Sequence, residues 1–327
     1  MLIVIALGGN ALLQRHDKTD ARTQHSRARQ AVRAVAPLAA ENQLVITHGN
    51  GPQVGLLAAE STRDATLGSA YPLDVLGAAS EGMIGHWLSL ELRNALPTVP
   101  VAALLTQTLV DEHDPAFRDP TKFIGVGYEP HVAQAIAAQR GWTMRQDGNS
   151  WRRVVPSPEP RDVLDIDVLE LLLAHGTIPI CAGGGGVPVI RAADGQLVGI
   201  DAVIDKDLTA SLIATRLQAD ALLMLTDVTQ VEQHWGTPLA RPLHRVTSSQ
   251  LRQMNFAAGS MGPKIEAACR FVDQHAATGG TAIAGIGQLT DAADILTGQA
   301  GTLITSDADP AGAAELPVQA AEHLRLR

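Results

Sequence analysis

The six residues after Met1, Leu2–Leu7, are apolar without a break, and then the chain reads Gly8-Gly9-Asn10. The same pattern returns five more times. Leu44–Thr47, Val101–Leu105, Ile178–Ala182, Ala221–Thr226 and Thr281–Ile286 are short apolar runs of strand length. Near-continuous apolar character predicts strands covered on both faces. Between them the apolar positions fall at helical spacing. Leu164–His175 carries Ile166, Leu169, Leu172 and Leu173, with Gly176 placed to end it. Leu208–Leu217 and Ile265–His275 repeat the helical pattern, the latter after Pro263, a good first-turn residue. Strand and helix in alternation predict an α/β fold, a mainly parallel sheet with helices on both faces.

One region breaks the pattern. Residues 111–162 are rich in Pro, Gly and charge and hold no long apolar run. They are expected to form an inserted flap or lid, since long structureless loops in compact domains are uncommon. Trp142 and Trp151 within it argue against disorder.

Composition narrows the function classes. A formal net charge of -9 excludes a nucleic-acid surface and a polybasic membrane patch. The apolar runs are too short to span a bilayer. The N-terminal run lacks a basic flank and a cleavage site, so no signal peptide is expected. Two cysteines, Cys181 and Cys269, make no disulfide framework, and a cytoplasmic location fits.

Three strand ends share one grammar: Gly8-Gly9-Asn10, Gly49-Asn50-Gly51 after His48, and Gly183-Gly184-Gly185-Gly186. In a parallel sheet these ends lie on one edge, where ligands bind. Glycines there let an oxyanion approach backbone N–H groups, aided by helix N-termini. Neither a Walker-type P-loop nor G-x-G-x-x-G is present, so positive charge must come from elsewhere.

Only four lysines occur, Lys18, Lys122, Lys206 and Lys264. Lys206, between Asp205 and Asp207, and Lys264 stand at helix starts; Lys122 lies in the expected flap. A cation at a helix N-terminus opposes the dipole. Two of them imply an anion that both dipole and lysine attract. This suits phosphoryl transfer, where the protein positions groups and neutralises charge. Asp207 is then expected to hold the lysines, and Asp205 to cap the helix. His48 is expected to be structural. The histidines show no metal spacing, and no metal-ligating residues are assigned.

The segments ALGGNALL, THGNGPQVG, PTKFIG, WRRVVPSPEP, CAGGGGVPV, VIDKDLTA and GSMGPKIEAA occur in an order that resembles the carbamate kinases of the amino-acid kinase fold family, over about residues 3–305. The resemblance implies an open three-layer αβα sandwich with a mainly parallel central sheet and a protruding lid subdomain. It implies an N-terminal lobe, 1–215, for carbamate or carbamoyl phosphate, including the lid at 111–162. A C-terminal lobe, 216–310, would bind the nucleotide, and 311–327 would be a tail. The reaction implied is reversible phosphoryl transfer between ATP and carbamate, giving ADP and carbamoyl phosphate and running toward ATP in catabolism such as that of arginine. Gly8, Gly9, Asn10, Gly49, Asn50 and Gly51 would surround the phosphoryl group, and Gly183 and Gly184, on the same edge, would also bind substrate or phosphate. Lys122 would reach in from the lid, Lys206 and Lys264 would bridge phosphates, and Asp207 would organise them. Asp227, Met261 and Pro263 would stand on the nucleotide side. Mg2+ would be held mainly by nucleotide phosphates, and a homodimer is implied. Two other readings stay open: a kinase of this fold for another small carboxylate or phosphate acceptor, and a nucleotide-binding relative without turnover. The chain departs from the family pattern at Glu232 and Thr237, where tyrosine and lysine are expected, and at His86, where tyrosine is expected.

Overall fold

The computed structural model describes residues 1–13, 17–61, 70–256 and 261–308, and of Asn10 and Ala11 only the backbone. The tail expected at 311–327 and the start of the GSMGPK segment lie outside the described residues. Eight strands form the central sheet: β1 (Leu2–Leu7), β2 (Gln43–His48), β3 (Val101–Ala103), β4 (Ile178–Ile180), β5 (Ala221–Thr226), β6 (Arg245–Thr247), β7 (Ile283–Gln288) and β8 (Thr302–Thr305). Their order is β6-β8-β7-β5-β1-β2-β4-β3. From β3 to β7 every pairing is parallel. At the far edge β8 runs antiparallel to β7, and β6 pairs parallel with β8.

The six apolar runs are the six parallel strands. Their continuity reflects burial on both faces, and the two-residue period divides them between two cores. Val4, Ala6, Val45, Leu222 and Met224 pack with helices Ile166–Ala174, Lys206–Arg216 and Met261–Ala277. Ile3, Ile5, Leu7, Leu44, Ile46 and Leu223 pack with helices Ala21–Val35 and Leu73–Ala95. Helices therefore cover both faces, giving the three-layer arrangement. Strands β6 and β8 carry no long apolar run and were not expected.

Segment 111–162 is more ordered than its composition suggests. At its ends, Gln107–Leu109 pairs antiparallel with Asp162–Val163, so the excursion leaves and returns side by side. Within it, Lys122–Tyr128, Ser150–Val155 and Met144–Asp147 form a three-stranded antiparallel sheet, with helix Pro130–Arg140 beside it. The guanidinium groups of Arg140 and Arg153 both lie over the Trp142 ring, 4.9 and 4.3 Å from its centre. Ile124 and Val155 join Val54, Ala58, Leu73 and Leu76 in a third small core, which seats this unit against helix Gly51–Ser61. Among the described residues no helix is long and apolar enough to cross a membrane.

Candidate active site

Register brings the strand ends to one level. Leu7 stands opposite His48 and Leu225. The N–H of Gly8 donates to the carbonyl of Leu225 at 2.7 Å, and that of Gly49 to Leu7 at 2.9 Å. The bends after β1 and β2 thus leave the sheet together, next to Thr226 and Asp227 at the end of β5. Strand β1 lies between connections that run to opposite sides, the place where open α/β sheets bind ligands.

Helix Lys206–Arg216 begins at this edge. Its N-cap is Asp205, whose Oδ1 accepts from the N–H of Asp207 at 2.9 Å and of Leu208 at 3.4 Å. Lys206 Nζ donates to Asp207 Oδ1 at 2.5 Å, and Lys264 Nζ donates to Asp207 Oδ2 at 3.0 Å. Lys264 arrives on the first turn of helix Met261–Ala277, which is tied to the Lys206 helix by a 2.9 Å bond from Ser211 Oγ to the Ala267 carbonyl. Lys122 Nζ donates to Asp205 Oδ2 at 2.5 Å. Three of the four lysines and both aspartates of the VIDKD segment therefore form one group, with a formal excess of positive charge.

Burial sets the electrostatics. Lys206 and Asp207 are 8% and 3% exposed, so neither charge can be left to water. Burial brings the Lys206 ammonium down to about 8, against the pull of Asp207. Burial alone would raise the Asp207 carboxyl, but the two lysines outweigh it and hold it far below the carboxylate range. Lys264 is raised: burial opposes its charge, and Asp207, Asp205 and Asp227 more than compensate. Asp205 is also held low, Lys122 being its strongest ally against burial.

The glycine bends close around this group. A Cβ on Gly49 would stand 2.9 Å from Gly9 N and 3.2 Å from Lys206 Cδ, so the lysine stem runs along the contact between the first two bends. Gly51 opens helix Gly51–Ser61. Asn50 Nδ2 donates to Ser80 Oγ at 2.8 Å, and the same amide lies against Gly184, whose φ of +69° favours glycine. The side chain of Asn10 is outside the described residues. Thr226 Oγ1 donates to Asp227 Oδ1 at 3.0 Å, while Met261 and Pro263 share the first turn with Lys264.

The third bend differs from the sequence reading. It was expected to offer bare N–H groups to an anion. The N–H of Gly183 instead donates to Glu81 Oε1 at 2.7 Å, and that of Ala182 to Thr106 Oγ1 at 3.0 Å. Gly183–Gly186 are buried, and a Cβ on Gly183 would fall 2.4 Å from His48 Cε1. Glycine is required here for close packing behind the site. Glu81 was missed. It sits on the buried stripe of helix Leu73–Ala95, with Leu73, Leu76, Ser80, Ile84 and Leu88, and a carboxylate in that stripe was the available signal. Burial pushes it up to about 8. His48 is fully buried, its Nδ1 3.2 Å from the Gly49 carbonyl; burial, with Lys206 adding, brings it down to about 4, so the ring is neutral at physiological pH.

Residues 1–278 match the model of the Amino acid kinase family. A carbamate kinase of Rhizobium meliloti is 48% identical over 309 residues, 94% of each chain. One from Haemophilus influenzae is 46% identical over 306 residues, 93% of this chain and 97% of the relative. A solved carbamate kinase from Giardia lamblia bound to AMP-PNP superposes with a TM-score of 0.83 at 38% identity, covering 94% of this chain and 98% of that one. With the family model, the identity and the fold in agreement over nearly its full length, the chain belongs to the amino acid kinase family, among its carbamate kinases.

Proposed function

We propose that this chain transfers a phosphoryl group reversibly between ATP and carbamate, giving ADP and carbamoyl phosphate, with catabolic flux toward ATP. The observation that carries the site assignment is Asp207, a buried carboxylate with Lys206 on one oxygen and Lys264 on the other, set against the Gly9 and Gly49 bends. The carbamate oxygen is already anionic, so the reaction needs no general base. Its difficulty is bringing two anions together. An ammonium about 4 Å from a phosphoryl group supplies roughly 4 kcal/mol of attraction at an effective dielectric near 20. Lys206 and Lys264 would bridge the migrating group, Asp207 would keep them oriented, and Gly8, Gly9, Asn10, Gly49, Asn50 and Gly51 would allow the phosphoryl close to the backbone. Lys122 would serve the carbamoyl side from the lid. Gly183 and Gly184 would act indirectly, by packing the second bend.

Asp227, Met261 and Pro263 would face the nucleotide, in a lobe of residues 216–310 beside a carbamate lobe of 1–215. The AMP-PNP held by the Giardia lamblia relative supports a nucleotide site. Kinase chemistry takes ATP or ADP with a divalent cation, which we propose is Mg2+. Both Asp207 oxygens and one Asp205 oxygen already face lysines, and the described residues include no cluster of three metal-ligating side chains. That donor set fits a cation carried by nucleotide phosphates, where Mg2+ keeps much of its water and neutralises phosphate charge. A homodimer in the cytoplasm completes the proposal.

The test is ATP formation from ADP and carbamoyl phosphate, with and without Mg2+, beside acetyl phosphate as a competing donor. Mg2+-dependent formation with carbamoyl phosphate preferred is expected. Preference for the other donor would replace carbamate as the acceptor.

A further inference from the structure

Asp205 divides its two oxygens between two elements. Oδ1 caps helix Lys206–Arg216 through the N–H groups of Asp207 and Leu208. Oδ2 accepts from Lys122 Nζ at 2.5 Å, across 83 residues of chain. Lys122 is the first residue of the strand that lies against helix Gly51–Ser61, so this ion pair connects the 111–162 unit to the start of the phosphoryl-site helix. The pair is well shielded, with side chains 28% and 13% exposed. Lys206 and Lys264 are oriented by Asp207, and the third ammonium has a separate carboxylate one residue upstream of Lys206.

We propose that Asp205 is a positioning residue: it docks the Lys122 ammonium beside the Lys206–Asp207–Lys264 group, so that the helix cap and the third cation depend on one side chain. Asp205 acts mainly through Lys122, its direct partner, with a weaker through-space pull on the Lys206 and Lys264 ammonium groups, and is assigned no contact with a reacting atom. The proposal rests on the phosphoryl-transfer reading above.

The two oxygens can be separated chemically. Asn is as good an N-cap as Asp. In Asp205→Asn the amide oxygen keeps the cap, while the NH2 turned toward Lys122 cannot accept. Asp205→Ala loses both roles. Asp205→Asn is expected to melt near the wild type and Asp205→Ala below it. In Asp205→Asn, kcat/KM for carbamoyl phosphate should fall about 10- to 100-fold, the scale of a misplaced positioning contact. KM for ADP should change less than about twofold, and in a Lys122→Ala background Asp205→Asn should cost clearly less than it does alone, because the direct partner is already gone. An equal loss in both backgrounds, or a faster Asp205→Asn enzyme, would overturn the proposal.

Hydrogen exchange gives a readout independent of turnover. Without ligand, amides of Lys122–Tyr128 should exchange faster in Asp205→Asn while those of Lys206–Arg216 hold. Unchanged exchange at Lys122–Tyr128 contradicts the docking role. Faster exchange in a protein whose wild type makes no ATP would instead remove the reaction reading and leave the docking contact standing.

Discussion

Lys206 keeps its proton at neutral pH by a narrow margin. Burial brings its pKa to about 8, and Asp207 prevents a further fall. The pH profile of kcat/KM reports groups of the free protein. Loss of the Lys206 proton removes a cation from the phosphoryl site, so kcat/KM for carbamoyl phosphate should decline above about pH 8. Asp207→Asn deletes the charge that raises Lys206, and the decline should then begin at lower pH. An unmoved alkaline limb would separate the two residues. Glu81 bears instead on folding. Its carboxyl stands at about 8 in the folded chain against an ordinary 4.5. Between those values the folded state binds a proton that the unfolded chain has released, so Glu81 makes stability fall as pH rises through that window. Melting curves should show a smaller decline from pH 6 to pH 8 in Glu81→Gln than in wild type. An identical decline would show that Glu81 ionises normally. Lys206 and Lys264 were legible because lysines are few and these two stand at helix starts, where a cation needs a reason. Glu81 shows in the sequence only as a carboxylate in an apolar helix stripe, and the backbone N–H donors that satisfy it, on Thr106 and Gly183, lie 25 and 102 residues away.

Elements buried on both faces carry their own signature, and those covered on one face depend on partners. Thus β1, β2 and β5 could be read as continuous apolar runs. The strand Lys122–Tyr128, with Ile124 fully buried and its neighbours partly exposed, could not. The same holds for the edge strand β6, while β8 is buried throughout but too short, with threonine at both ends, to show as an apolar run. The contact between helix Gly51–Ser61 and strand Lys122–Tyr128 is a backbone approach: a Cβ on Gly55 would lie 2.1 Å from the N and Cα atoms of Gly125. Gly55→Ala must therefore push strand and helix apart. It should cost about 1–3 kcal/mol of stability, the usual scale of overpacking, and lower turnover with it. An alanine variant that melts and turns over normally would mean the strand is not held there. Lys122→Ala leaves the backbone contact in place and removes only the ammonium. It should impair turnover and leave the KM for ADP largely intact. A sharp loss of ADP affinity would put Lys122 on the nucleotide side instead.

The whole chain is acidic, with a formal net charge of -9, yet it gathers three ammonium groups and two carboxylates at one sheet edge. That concentration is what an enzyme for two anionic substrates requires, and the global charge gives no hint of it. The sheet provides the means. Parallel strands place bends from residues 8 and 49 and two helix starts from residues 206 and 264 at one level, so cations far apart in sequence meet on Asp207. The central claim is that these ammonium groups stabilise the migrating phosphoryl group. The most direct measurement is kcat/KM for carbamoyl phosphate in ATP formation by Lys264→Ala, with folding verified by its melting curve. Removing one preorganised donor should cost about 3 kcal/mol or more of transition-state stabilisation, a fall of roughly 100-fold or greater. A folded Lys264→Ala protein with a near-normal rate would contradict the account.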